Sequence, residues 1–246
     1  MPGYRKQNDI DRDYRSLSAP DLQKFRILAG ESDLWILSSH EVRDEIRRLL
    51  RLYRRQLKEF IYQNPVFQTT LMPYPVGPEA PELIRRMSEA GAKVKVGPMA
   101  SVAGAIAGLI GENIRPEIPD LIIENGGDIY LRSTEERRIA VFAGNSPFSM
   151  KIALKIPPEP DGLGICTSAG TVGPSLSLGK ADATVIISPD VALADAAATA
   201  VGNMIIKTSD LWPAVDFAKS IPGVTGVLLI KDDKMAAWGE LTLIPL

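Results

Sequence analysis

Cysteine and histidine are nearly missing from this chain: among 246 residues, Cys166 and His40 stand alone. One cysteine cannot form an internal disulfide, which excludes a disulfide framework and suits a reducing compartment. One histidine, far from Cys166 in sequence, leaves that thiol without a neighbouring base, so a small packed thiol is a simpler reading than a nucleophile. Neither sign of charge prevails, since 28 basic and 30 acidic residues leave a net charge of −2. That balance argues against nucleic acid as a partner. No apolar run approaches the roughly 18 to 20 residues of a membrane span, and the opening MPGYRKQNDIDRDYR has no apolar signal region. The expectation is a cytoplasmic protein with no membrane partner. A Walker motif is missing too: Gly179-Lys180-Ala181 lacks both the spacing and the following Ser or Thr, which excludes a P-loop nucleotidase.

What is present is concentrated between Gly162 and Asn203, in GLGICTSAGTVGPSLSLGKADATVIISPDVALADAAATAVGN. Glycine, alanine and hydroxyl residues dominate this run, where a helix that only packs would carry Leu, Ile and Val. Near its end Asp195 and Thr199 stand at i and i+4, on one face of an alanine-rich helix. A carboxylate and a hydroxyl are hard oxygen donors suited to Mg²⁺, which takes few protein ligands and fills its shell with water and phosphate. Local capping by Asp195 and back-bonding by Thr199 to helix carbonyls is the structural alternative. Upstream, Cys166, Thr167, Ser168, Ala169, Gly170, Thr171, Val172 and Gly173 read as a loop able to present N–H groups and hydroxyls to a phosphate.

The rest of the chain reads as an α+β protein with mixed, largely antiparallel sheets packed by helices. Residues 1 to about 20 form an arm. Phe25–Ala29 and Leu34–Leu37 are expected to make a hairpin, and Glu41–Gln63 an amphipathic helix with apolar positions Val42, Ile46, Leu49, Leu50, Tyr53, Leu57, Phe60 and Ile61. Its other face carries seven basic residues interleaved with Glu41, Asp44, Glu45 and Glu59, a solvated or subunit-facing surface. A Pro-rich loop, Met72–Pro81, leads to a helix at Glu82–Ala90. Strands are expected at Leu121–Glu124, Asp128–Leu131, Ile139–Phe142, Lys151–Ile156, Val224–Ile230 and Met235–Leu243. Glu124-Asn125-Gly126-Gly127-Asp128 has the signature of a tight hairpin turn, and its acids and paired glycines equally allow a ligand against bare backbone.

A duplication is also legible. Val94–Pro98 aligns with Val185–Pro189 at an offset of 91 residues, and the same offset pairs Ala103/Ala194, Ala105/Ala196, Ala107/Ala198, Gly111/Gly202 and Ile114/Ile205. The expectation is one domain, 1–246, containing two related strand–helix units around 92–114 and 183–205. In the first copy Gly104 and Gly108 stand where the second has Asp195 and Thr199, as though leaving room for them.

Together GPMASVAG at 97–104, ENGGD at 124–128, GICTSAGTVG at 164–173, GKADA at 179–183 and ADAAAT at 194–199 resemble a smaller prokaryotic family within the ApbE superfamily. The resemblance covers nearly the whole chain. It implies a duplicated T-fold-like α+β unit, and a magnesium-dependent flavin transferase that moves FMN from FAD to a threonine of a protein acceptor. Carried over residue by residue, it makes Asp195 and Thr199 metal ligands, with Asp195 catalytic through the metal. It puts Gly126, Gly127 and Asp128 beside the flavin, and takes an alanine carbonyl from 100–107 as a further ligand. Thr167, Ser168, Gly170 and Thr171 then become nucleotide contacts. Three departures bear on transfer chemistry: no lysine-glycine step lies between Gly97 and Gly108, Pro174 stands where the family has a histidine, and no lipoprotein signal is visible.

Three readings follow. The first is a flavin-nucleotide protein binding FAD or FMN with Mg²⁺, active as a transferase or FAD pyrophosphatase. The second is sulfur transfer, linked through the smaller family to homocysteine formation in anaerobes, with Cys166 as the catalytic centre. The third is a non-enzymatic flavin carrier or subunit. A homodimer is the base-rate expectation.

Overall fold

A computed structural model describes residues 21–114, 117–170 and 178–246. The expected N-terminal arm, Thr171 and Pro174 lie outside the described residues. Strands β1 (Gln23–Ala29) and β2 (Ser32–Ser38) form the expected hairpin. Helix α1 (Arg43–Gln63) buries Ile46, Leu49, Leu50, Tyr53 and Leu57 and stops just before Pro65, which cannot continue it. Its first turn begins two residues later than the periodicity predicts, because the Glu41 side chain accepts the Arg43 N–H at 2.9 Å and occupies the entry. On the outer face Arg47 pairs with Asp44 and Arg54 with Glu31. His40 is exposed, its Nδ1 3.0 Å from the Ser39 hydroxyl.

After a single turn, α2 (Val66–Thr69), the Pro-rich loop reaches α3 (Glu82–Val94). Here the expected first strand at Val94–Pro98 is overturned. Leu83, Met87, Ala90, Gly91 and Val94 share the buried stripe of α3, so helix packing claims Val94; Lys95 then closes the helix in the left-handed conformation, at φ 61°. A 3₁₀ turn, Pro98–Ser101, leads directly into α4 (Val102–Asn113). Of the two copies only the later one has a strand before its helix: β8 (Ala183–Ser188) precedes α5 (Val191–Gly202).

Strands β3 (Leu121–Asn125) and β4 (Asp128–Ser133) are the expected hairpin around Gly126 and Gly127. Strands β5 (Arg137–Ala140) and β6 (Ile152–Ile156) follow, and then β7 (Glu159–Ser168), which the sequence pattern had not marked. After α5 come α6 (Leu211–Lys219), β9 (Gly226–Lys231), β10 (Lys234–Gly239) and β11 (Thr242–Pro245). The single strand expected at Met235–Leu243 divides in two at Gly239, whose φ of 95° turns the chain out of one sheet toward another.

The large sheet has eight strands in the order β1-β2-β3-β4-β7-β8-β9-β10, and β11-β6-β5 form a small second sheet. Every pairing among the described residues is antiparallel, so the sheets are not mixed. Successive residues of a strand face opposite sides, and the two hydrophobic clusters follow that rule along β7. Cys166 joins Ile46, Met87, Ile106, Leu109 and the alanines of α5 on the helical side. Ile165 joins Leu131, Val185, Leu228 and the small sheet's Leu154 and Ile156 on the other. The result is three layers: helices, large sheet, small sheet. No single helix is long and apolar enough to cross a membrane.

Candidate functional site

Helices α4 and α5 lie against each other over the middle of the large sheet, and their small residues make that contact close. A Cβ added at Gly104 would stand 2.6 Å from Asp195 Cβ and 2.7 Å from the Val191 carbonyl oxygen, so only glycine fits. The bare backbone is used: the Gly104 N–H donates to Asp195 Oδ2 at 2.8 Å. The room expected from the two glycines is therefore real for Gly104. Gly108 faces Val191 instead of Thr199, at 3.0 Å for an added Cβ, because the helices cross and the paired positions do not stay opposite.

One turn beyond Asp195, the Thr199 hydroxyl is 3.5 Å from the Ala100 carbonyl oxygen. Within the 100–107 segment the Ala100 carbonyl is thus the one beside Thr199, while that of Ala103 accepts from the Asn125 side chain at 3.0 Å. The packing of α5 on the 3₁₀ turn, which the sequence did not show, brings these two oxygens together. The role of Asn125 was also missed, although it stands inside the motif that drew attention to its neighbours.

From below, the β3–β4 turn supplies a second acid. Asn125 pairs with Asp128 across a two-residue turn in which Gly126 and Gly127 have φ of 71° and 111°. Those angles account for both glycines by hairpin geometry, and the Glu124 side chain holds the turn by accepting the Gly127 N–H at 3.0 Å. Asp128 is 7% exposed, and its Oδ1 is buried with no hydrogen-bond partner. Burial pushes its carboxyl well above the usual carboxylate range and the nearby Asp195 pushes it further, while the Cys166 thiol and Thr167 N–H pull the other way. Asp195 is itself pushed up to about 7 by burial, against the opposing hydrogen bonds from Gly104 and Ala103.

Cys166 lies opposite Asp128 on β7, fully buried beneath α5, with Sγ 3.6 Å from the Val191 carbonyl. Burial first, then Asp128 and Asp195, raise its thiol well above the ordinary value. Nucleophilic sulfur chemistry needs a thiolate, and this environment opposes one. The expected phosphate loop also begins later than read: Cys166, Thr167 and Ser168 belong to β7, Cys166 paired with both β4 and β8, and Thr167 and Ser168 paired with β8. Gly170 comes after the strand, but its N–H donates to the Ala181 carbonyl at 2.8 Å. Thr167 and Ser168 remain part-exposed at the end of β7.

Could these residues hold a divalent cation? Two desolvated acids face the α4–α5 contact, neither has an ion-pair partner among the described residues, and one buried carboxylate oxygen lacks any donor. Missing positive charge is what such a pair calls for. No cluster of three His, Cys, Asp or Glu with metal-holding geometry exists among the described residues. The available donors are instead one carboxylate, one hydroxyl and one carbonyl, the sparse all-oxygen set from which Mg²⁺ is held when phosphate supplies the remainder. The residues fit the ion.

Comparison with known proteins identifies the family and the fold. Residues 15–234 match the model of the family described as AbpE bacteria. The chain is 47% identical over 192 residues to a UPF0280 protein of Methanocella arvoryzae, covering 78% of each chain. It is 40% identical over 200 residues to a UPF0280 protein of Methanosarcina acetivorans, covering 80% of this chain and 79% of that one. Among solved structures, the apo form of the flavinyl transferase ApbE from Pseudomonas stutzeri is similar with a TM-score of 0.57 at 10% identity, over 90% of this chain and 95% of that one. The ApbE protein of Thermotoga maritima is similar with a TM-score of 0.54 at 12% identity, over 89% and 96%. At such identity the likeness is one of fold.

Proposed function

Because this chain belongs to the UPF0280 family and has the fold of the ApbE flavin transferases, we propose that it binds a flavin nucleotide, FAD or FMN, with Mg²⁺ at the α4–α5 contact. The observation that carries the reading is the buried Asp195 carboxylate, held by the Gly104 N–H one turn from the Thr199 hydroxyl and the Ala100 carbonyl, with Asp128 beneath. Asp195 and Thr199 would hold the metal together with the Ala100 carbonyl. Mg²⁺, when bound, supplies charge neutralisation at the phosphates. The protein contributes the rest: Gly104 fixes the carboxylate, α5 sets the spacing of its two oxygen donors, and the β3–β4 turn offers exposed backbone at Gly126.

With FAD as substrate, the reaction is cleavage of the pyrophosphate, with FMN passed to an acceptor hydroxyl and AMP released. A carrier that binds without turnover is the second reading, and Pro174 in the place of a family histidine favours it. Nothing in the surroundings of Cys166 favours sulfur transfer. Calorimetric titration with FAD, with and without Mg²⁺, followed by mass analysis of the products, separates these readings. Mg²⁺-dependent binding with AMP release supports the transferase, and binding without cleavage supports the carrier. Absence of binding, or equal affinity in Asp195→Ala, refutes the site.

A further inference from the structure

Nineteen consecutive residues, Phe60 to Pro78, include no Asp, Glu, Lys, Arg or His, in a chain of which 24% is charged. The comparable run 96–111 lacks charge because it leads into α4, which is buried from Gly104 to Gly111. Here the opposite holds: Tyr62, Val66, Leu71 and Met72 are all more than half exposed, Tyr62 at 87%. We propose that this face, from the last turn of α1 through α2 to Met72, is the contact surface of a homodimer, packed about a twofold axis against the same face of a second copy of this chain.

An inner anchor holds the face in shape. Phe67 is fully buried behind it, its ring centroid 5.0 Å from that of Phe60 and 5.5 Å from that of Tyr74, both edge-on. Asn64 ties the same residues together, its Nδ2 donating to the Phe60 carbonyl at 3.1 Å and its Oδ1 accepting from the Tyr74 hydroxyl at 3.4 Å. Pro65 and Pro73 fix φ on either side of α2. The outward side chains are therefore in place before a partner arrives, and association does not have to order them. Contiguous apolar surface of this kind marks an interaction site, and the chemistry of the face selects its occupant. The exposed polar groups among the apolar ones, Gln63, Gln68 and Thr69, are neutral amides and a hydroxyl, each able both to donate and to accept. The face is thus its own complement. A charged partner surface would meet no counter-charge here and would lose its hydration without replacement. Two copies meet apolar against apolar and amide against amide, and a net charge of −2 opposes their approach little. An isologous contact sets the same patch of both subunits together. Exposed Lys58 and Glu59, in the turn before Tyr62, add a rim of both signs around the apolar centre, the arrangement of interfaces that take about 800 Å² from each partner. Gly97 has no room for a Cβ beside the Thr70 carbonyl, so the face abuts the turn that carries Ala100.

The test is sedimentation velocity of the full chain at micromolar concentrations, wild type against Leu71→Asp and Met72→Lys, with Leu28→Asp as control because Leu28 is 63% exposed on the edge strand β1. The wild type is expected to sediment as a dimer. Twofold symmetry puts each new charge on both sides of the contact, so Leu71→Asp and Met72→Lys should each raise the dimer dissociation constant about a hundredfold or more. Their circular dichroism should remain that of the folded chain, since both positions are exposed, and Leu28→Asp should leave the dimer intact. A wild type that sediments as a monomer overturns the proposal. So does a dimer indifferent to both substitutions, or one that Leu28→Asp dissociates equally well, since association would then not run through this face.

Discussion

Replacing Asp195 by Asn should stabilise the empty protein and disable it at once. The two side chains have nearly the same shape, and the Asn carbonyl can still accept the Gly104 N–H that Asp195 Oδ2 accepts at 2.8 Å. What disappears is a buried charge. Asp195 is pushed from 3.8 up to about 7 by burial, so the folded state holds its proton more tightly than the unfolded chain does. The contribution of Asp195 is therefore greatest at low pH, and it is lost as pH rises from about 4 through about 7, where the native carboxyl finally ionises. At 1.36 kcal/mol per unit the total loss is about 4 kcal/mol, more than half of it between pH 5 and pH 8. Asp128, raised by burial and by the same neighbour, acts in the same direction. Urea unfolding in the absence of metal, at pH 5 and pH 8, reads this directly. Wild type should lose midpoint over that interval, while Asp195→Asn should lose much less and be the more stable protein at pH 8. The variant should also show no Mg²⁺-dependent binding of FAD. A wild-type stability that is flat or rising between pH 5 and pH 8 would refute the reasoning, as would a variant with an unchanged slope.

Other substitutions probe the same packing. Gly104→Ala puts a methyl 2.6 Å from Asp195 Cβ, so the two helices must separate; a loss of about 1–3 kcal/mol in urea unfolding is expected, together with weaker Mg²⁺ binding. Unchanged stability would mean the helices are not in such close contact. Cys166, with its thiol raised by burial and by two acids, should resist iodoacetamide at pH 8 in the native protein and react only on unfolding; rapid alkylation of the folded chain would restore the case for sulfur chemistry. Ser88→Ala removes a buried hydroxyl without a partner and should raise stability by about 1 kcal/mol, measured by thermal or urea unfolding; a destabilised variant would show that the hydroxyl is satisfied.

Much of this molecule is legible along the chain because much of it is specified locally. The stripe from Ile46 to Leu57 builds α1 and Pro65 bounds it; Gly126-Gly127 supplies the positive φ that the β3–β4 turn demands. Asp195 and Thr199 share a helix face by spacing alone. Strand β7 went unrecognised because Gly162, Gly164, Thr167 and Ser168 have the composition of a loop. It is a strand because β4 and β8 satisfy its backbone from both sides. Val94 illustrates the converse: a β-branched residue before a turn reads as strand, yet the buried face of α3 has a place for it.

What the sequence determined by itself was the inventory of the candidate site, two oxygen-bearing side chains on α5 and an acid after the glycine turn, and a family resemblance carried by ordered motifs. Only the tertiary structure decided how these act on one another. Asp128 and Asp195 are distant in the chain, and it takes the order of strands in the sheet, with α5 laid across it, to bring their charges together and exclude water from both. Burial is a property of the assembled layers and has no local code. For that reason the raised carboxyls and the approach of the Ala100 carbonyl to Thr199 could not be read before the chain was folded.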